Sequence, residues 1–245
     1  MPADVKTFNV DNIRVAKVLG GSLSDSVVIH GLAILRGSET TVHHVTAAKV
    51  AVFNCDLAAE SGDTKGTVVF KTADELINYT RSEEDTMEKF IKKCADAGVN
   101  VVFVGGSISD IAVHFCQKYN IMLLKIMSKF DLRRIAKAVG ATLLVRHDSP
   151  TPDEMGHAES ISTDEIASQK ITIIKRNEDE NRMATILIRG STISMIEDSE
   201  RAIDDGVNTF KNITRDARFV AGGGATEIYI ASQLQTFAKT QPGLD

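Results

Sequence analysis

Asp204 and Asp205 are adjacent carboxylates in a stretch where Ile196, Ile203, Val207 and Phe210 recur at helical spacing. Ile203 and Val207 take the inward stripe, which leaves the acidic pair nearer solvent or a neighbouring domain. A carboxylate so placed could orient and polarise a water for in-line attack. Acidic side chains mostly end at the surface in any case, so the residues alone favour a solvated pair. Downstream, Gly222, Gly223 and Gly224 precede a helical segment. Three glycines let backbone approach a ligand closely at an anion-favouring helix start, and they equally make a plain flexible turn. Gly105-Gly106 also sits between a strand and a helix, but it reads G-G-S-I-S-D and lacks the third glycine of a dinucleotide fingerprint.

The remaining reactive side chains are scattered. Cys55, Cys94 and Cys116 form no C-x-x-C pair, so neither a zinc knuckle nor a redox dithiol is expected. A sparse, odd set of thiols suits a reducing compartment. His43 and His44 are adjacent but have no third ligand at metal spacing, so no metal site is expected. His114 and Cys116 are two apart and face different sides of their helix. The chain has 245 residues, 43% of them hydrophobic and 25% charged, with a net charge of -5. That balance argues against a nucleic-acid binder. No apolar run reaches the roughly 18 residues of a membrane helix, and no secretory signal opens the chain. A cytoplasmic protein is the expectation.

The elements that must position these residues are clearest in the middle. Thr72 and Glu75 read as a capping box opening a helix over Leu76 and Ile77. The charged run 81–85 interrupts it, and Met87, Phe90, Ile91 and Cys94 carry a second helix that Gly98 ends. The apolar run 99–104 reads as a strand buried on both faces. Ile108, Ile111, Ala112, Phe115 and Tyr119 recur at helical spacing over 107–119, with Ile108, Ile111 and Phe115 assigned to the core. The opposite stripe holds Asp110, His114, Gln117 and Lys118. A second strand spans 121–124. Ser128 and Asp131 cap a helix running to Gly140, and a third strand covers 141–145. This alternation makes an α/β layer with right-handed crossovers. Strands at 27–29 and 50–53 precede it. Strands at 170–174 and 184–188 follow, joined as a hairpin by the charged run 176–182. Such flanks suggest a β-sandwich around the layer. A long helix over about 194–212 and another over 225–239 complete the chain.

Several phrases resemble group II chaperonins: G-G-S-L-S-D-S-V-V-I-H-G (20–31), A-G-V-N-V-V-F-V (97–104), I-S-D-I-A-V-H-F (108–115), D-L-R-R-I-A-K-A-V-G-A-T (131–142), T-I-L-I-R-G-S-T (185–192), E-R-A-I-D-D-G-V-N (200–208) and V-A-G-G-G-A-T-E (220–227). Each is weak alone, but they run in the family's order and cover most of the chain. The resemblance implies an apical domain, an α/β layer with a flanking β-sandwich and a helical protrusion, plus a partial intermediate domain. By segment, it implies intermediate domain at 1–21, apical domain at 22–182 with the protrusion at 72–96, intermediate domain at 183–220 and the start of the equatorial domain at 221–245.

It further implies a molecular chaperone that captures unfolded client proteins within a hetero-oligomeric double ring of chaperonin subunits. ATP and Mg would serve the intact subunit. Asp205 matches the aspartate that positions the attacking water, and Gly222, Gly223 and Gly224 match a loop against the nucleotide. Asp110, His114, Gln117 and Lys118 fall on the helix bordering the client groove. That face is polar here, which favours selected clients over general hydrophobic capture. Nothing in the chain matches the family's phosphate-binding G-D-G-T-T loop. Tight ATP binding, turnover and strong self-association by this chain alone are therefore not expected. The alternative is a free-standing α/β ligand-binding domain or enzyme using the Gly105-Gly106 turn.

Overall fold

Alternation along β4 (Val101–Val104) shows how the core is built, because every residue of that strand is buried. The pleat sends successive side chains to opposite faces. Val101 and Phe103 join a cluster with Leu132, Ile135, Ala136 and Val139 of α3 (Lys129–Val139). Val102 and Val104 join another with Met87, Ile91 and Cys94 of α1 (Ala73–Asp96) and Ala112 and Cys116 of α2 (Asp110–Lys118). Helices therefore cover both faces, as parallel strands without a wet side require. The computed structural model describes residues 8–58, 73–176, 183–241 and Gly243, with backbone alone over 73–83.

The parallel layer is β3 (His44–Phe53), β4, β5 (Met122–Lys125) and the short β6 (Leu143–Leu144) beside β3. Around it run β1 (Ile13–Leu19), β2 (Val27–Ile34), β7 (Gly156–Ile166), β8 (Gln169–Lys175) and β9 (Ala184–Gly190). They share one hydrogen-bonded path in the order β1-β9-β2-β8-β7-β3-β4-β5. The flanking strands are thus continuous with the α/β layer. A mixed α/β architecture follows, as the alternation of elements predicts.

Three local expectations change. β8 and β9 are not a hairpin, because β2 lies between them. Val27–His30 pair with β9, and Gly31–Ile34 pair with β8. The hairpin is instead β7–β8, whose turn residues Ala167 and Ser168 both take positive φ, 51° and 65°. That is the twist-matched form of a two-residue turn, made here without the usual Asn-Gly. Second, β7 was not expected as a strand: Ile161 is buried and Ile166 half-buried, but they are five apart among small Gly156 and Ala158 and polar Ser160, Ser162 and Thr163, so no apolar alternation marks it. Third, α1 is one helix of 24 residues. The charged run 81–85 does not break it, because Arg and Glu are good helix formers. The Thr72 cap lies outside the described residues, as do the side chains of Leu76 and Ile77 and the residues 177–182 of the charged run.

Other boundaries follow local chemistry. Ser128 accepts from the Asp131 amide at 3.3 Å, and Gly140 at φ 74° ends α3. Arg176 donates to the Ala138 carbonyl at 3.0 Å, satisfying one of the last carbonyls of α3. α4 (Ile193–Arg215) is capped by Thr192 and lies on β9 and β1 through Ile196, its one buried residue, which packs against Gly190. Lys17 bonds Glu200 at 2.8 Å, and Phe8 meets Phe210 edge-on at 5.1 Å. Ile203 and Val207 are half-buried as expected, while Phe210 stays 40% exposed. α5 (Ala225–Ala238) has no buried residue.

Gly31 is where β2 passes from one neighbour to the other. Its φ is 144°, and a Cβ there would sit 2.1 Å from the Ile174 carbonyl oxygen. Buried Thr185 stitches the crossing. Its hydroxyl donates to the Gly31 carbonyl at 2.9 Å and accepts from the Ala33 amide at 3.2 Å. Thr185→Val keeps the shape and removes both bonds. It is expected to cost about 1–3 kcal/mol in urea unfolding, the penalty for buried polar groups left unpaired. An unchanged midpoint would show that the hydroxyl is dispensable.

Candidate functional site

α2 begins at Asp110 rather than at Ser107, because Ser109 is its N-cap and accepts from the Ala112 amide. Ile108 precedes the helix and bridges to Leu57 in parallel. Ala112 and Cys116 form the buried centre of the helix, while Ile111, Phe115 and Tyr119 are half-buried at its margins. Ile108, Ile111 and Phe115 pack against the core cluster as the spacing argument expects, but at its margin and only partly buried. The buried stripe is rotated toward Cys116 because α1 packs alongside. Asp110, His114, Gln117 and Lys118 are all exposed, as expected, and share the outer face.

That face is not uniformly free. Lys118 bonds Glu88 of α1 at 2.6 Å and lies over the rings of Phe115 and Tyr119 at 5.6 and 5.7 Å. The Tyr119 hydroxyl donates to the same Glu88 oxygen at 3.3 Å. The hydrogen bond to Lys118 lowers the Glu88 pKa, and the same bond raises that of Lys118. Lys118 thus ties α2 to α1. Asp110, His114 and Gln117 remain open, with His114 edge-on to Phe115 at 5.5 Å.

The Gly105-Gly106 turn is occupied. A Cβ on Gly106 would meet the Asp56 carboxylate at 2.3 Å, and one on Gly105 would meet Leu132 at 2.7 Å. Asp56 accepts from the Ser107 amide at 2.5 Å and from its hydroxyl at 2.8 Å, and these bonds lower its pKa. An incoming phosphate would face this carboxylate. His147 Nε2 donates to the Asp56 carbonyl at 2.6 Å, and its ring meets Phe90 at 5.9 Å. Asp56, Ser107 and His147 therefore cluster, but the serine hydroxyl donates to the carboxylate and not to the imidazole. That is the wrong order for nucleophile activation. Burial pushes the Cys94 and Cys116 thiols up to about 12, so neither is a ready nucleophile. No cluster of metal-ligating side chains occurs among the described residues, and His43 and His44 lie in none.

Asp204 and Asp205 are exposed on α4, and Asn208 donates to the Asp204 carbonyl at 2.9 Å. Gly222, Gly223 and Gly224 form an open loop with no atom within 4 Å of their would-be Cβ positions. Gly223 and Gly224 take φ of 68° and 82°. The loop leads into α5, where Thr226 bonds the Ala221 carbonyl. No hydrogen bond joins Asp205 to the loop or either of them to α2 among the described residues.

Residues 1–245 match the TCP-1/cpn60 chaperonin family. The chain belongs to that family. The theta subunits of T-complex protein 1 from Homo sapiens and Macaca fascicularis are each 48% identical over 238 residues, 97% of this chaperonin chain. The theta subunit of Arabidopsis thaliana is 43% identical over 244 residues. This agrees with the segments D-L-R-R, I-D-D-G-V-N-T-F-K and G-G-G-A-T-E-I, whose details most resemble theta. The chain spans 43% of the human and macaque relatives' length. An open-state monomer of a group II chaperonin from Methanococcoides burtonii superposes with a TM-score of 0.68 at 25% identity. That match covers 96% of this chain and 52% of the other.

Within this chaperonin fold, sequence reasoning missed Asp56, Glu88 and His147. Asp56 and His147 follow the ends of β3 and β6, where loops meet only once strand order is known. Glu88 was one charge among several on α1. The Asp56 turn gives a pH test. A carboxyl with a lowered folded-state pKa contributes stability that is complete above its ordinary value of 3.8 and is lost as pH falls through the folded value. Asp56→Asn should flatten the acid limb of the stability curve below that value, and an identical limb in both proteins would dismiss the role. Thiol alkylation of the native chain should modify half-buried Cys55 well before Cys94 and Cys116. Equal rates, read by peptide mapping, would mean that the α1–α2 seam opens freely.

Proposed function

We propose that this chain is the client-capturing portion of an ATP-driven chaperonin subunit. The observation that carries the reading is α2, whose inner stripe is buried at Ala112 and Cys116 while its outer stripe presents Asp110, His114 and Gln117 beside the margin of partly buried Phe115. Non-native protein docks there through mixed polar contacts and one aromatic edge. The protrusion at 72–96 borders this face through the Lys118–Glu88 tie. In this reading 22–182 is the apical domain, 1–21 and 183–220 are intermediate domain and 221–245 opens the equatorial domain. The intact subunit works in the cytoplasm, in a hetero-oligomeric double ring. The occupied Gly105-Gly106 turn weighs against a free-standing ligand-binding domain or enzyme.

ATP with Mg²⁺ would supply the driving free energy to the intact subunit. The open Gly222–Gly224 backbone could lie against the nucleotide, since no side chain fills it. Asp205, exposed on α4, would orient the attacking water once the rest of the pocket is present. In the intact ring with neighbouring subunits disabled, Asp205→Ala should slow hydrolysis by ~100-fold and leave nucleotide binding largely intact. Unchanged turnover would refute the role.

Client contact is tested by crosslinking an unfolded client to the chain and mapping the adducts. Adducts at α2 and the α1 base are expected. Binding should weaken as salt rises, because the exposed groups are partly charged. Asp110→Lys with His114→Glu should change which clients bind while leaving thermal stability nearly unchanged. Adducts confined to β8, β9 and the N-terminal strands would sink this reading.

A further inference from the structure

We propose that the exposed face of α3, with the β5–α3 connection, docks an acidic segment of a separate partner protein, anchored by an apolar side chain of that segment against Met127 and Phe130. The face lies on the opposite side of the sheet from α1 and α2, since α3 packs into the other core cluster. Lys129, Arg133 and Lys137 fall at i, i+4 and i+8, so they form one stripe along α3, and all three are exposed. None of them makes an ion pair with a described residue. The helix has a single carboxylate, Asp131, and Arg134 and Arg14 already engage it at 3.1 and 3.8 Å. In a chain of net charge -5, this concentration of unneutralised cations is local and one-sided.

The apolar part is equally specific. Phe130 is 71% exposed and Met127 69% exposed, at and just before the first turn of α3. Arg36 approaches the Met127 sulfur at 3.7 Å, holding that side chain beside a further cation. Two large exposed apolar groups at the start of a helix whose stripe of Lys129, Arg133 and Lys137 has no ion pair among the described residues fit an acidic segment that also carries an apolar anchor. Nucleic-acid phosphates would neutralise the cations but leave Met127 uncovered. The shallow groove along α1 lined by Lys89, Lys92 and Lys93 is a weaker candidate, because Asp96 lies within it.

The test is fluorescence anisotropy of the 245-residue chain with a fluorescein-labelled peptide of mixed Glu, Asp and Leu. Binding should be saturable at low salt and weaken steeply as salt rises. Lys129→Glu with Arg133→Glu should weaken it by at least ~10-fold, and Phe130→Ser by ~5-fold with the salt slope unchanged. Lys89→Glu with Lys92→Glu should leave it intact. Circular dichroism and melting would confirm that each variant is folded. The proposal is overturned by absence of saturable binding, by equal affinity for a peptide with Ser in place of Leu, or by displacement with single-stranded RNA. It is equally overturned if sedimentation shows the chain pairing with itself through this face. None of these outcomes bears on client capture at α2.

Discussion

From Ala48 to Phe53, β3 leaves almost nothing for water: of its side chains there, only Lys49 is exposed. Val50 and Val52 belong to the core beneath α3, and Ala51 and Phe53 to the core beneath α1 and α2. The same strand pairs antiparallel with β7 over its first part and in parallel with β4 and β6 over its last. One strand thus joins the α/β layer to the flanking β structure, and helices are required on both sides of it. The chain leaving its end has to pass close to the loop after β4. That is why Gly105 and Gly106 have no Cβ, and why Asp56 fills the space beside them.

The same crowding disposes of two chemical readings that the sequence left open. A glycine pair between strand and helix could cradle a phosphate only if its inner side were empty and its amides unclaimed. Asp56 takes the Ser107 amide and brings its own negative charge. Asp, Ser and His come together here through chain geometry, but the hydrogen bonds run from serine to carboxylate and from imidazole to a carbonyl. The cluster braces a turn.

The α/β layer was legible because its signals are strong and local. Four consecutive buried residues mark β4, and Ser128 with Gly140 marks both ends of α3. The strands around the layer were less so. β7 pairs on both sides, yet its buried Ile161 stands among small and polar residues without an apolar alternation. The β8–β9 connection resembles a hairpin unless one knows that β2, over 130 residues earlier, intervenes. Such non-local pairings leave no mark in a window of sequence. On the candidate face, periodicity placed Asp110, His114, Gln117 and Lys118 outward. It could not see that α1 would turn the buried stripe toward Cys116, leave Phe115 at the margin of the core and claim Lys118.

The continuity of α1 has a mechanical meaning. At 1.5 Å per residue its 24 residues extend for about 36 Å. Only the part from Met87 onward contributes buried side chains among those described, and that part is held to α2 by Glu88. A helix unbroken along its length carries a tilt of that held part to its far end. Tilting it by ~10° about the Glu88 tie would carry the far end, about 22 Å off, through about 4 Å. Whatever shifts α2, including a molecule resting on its outer face, would then be reported about 22 Å away, as far as the unbent helix reaches from Glu88 to Ala73.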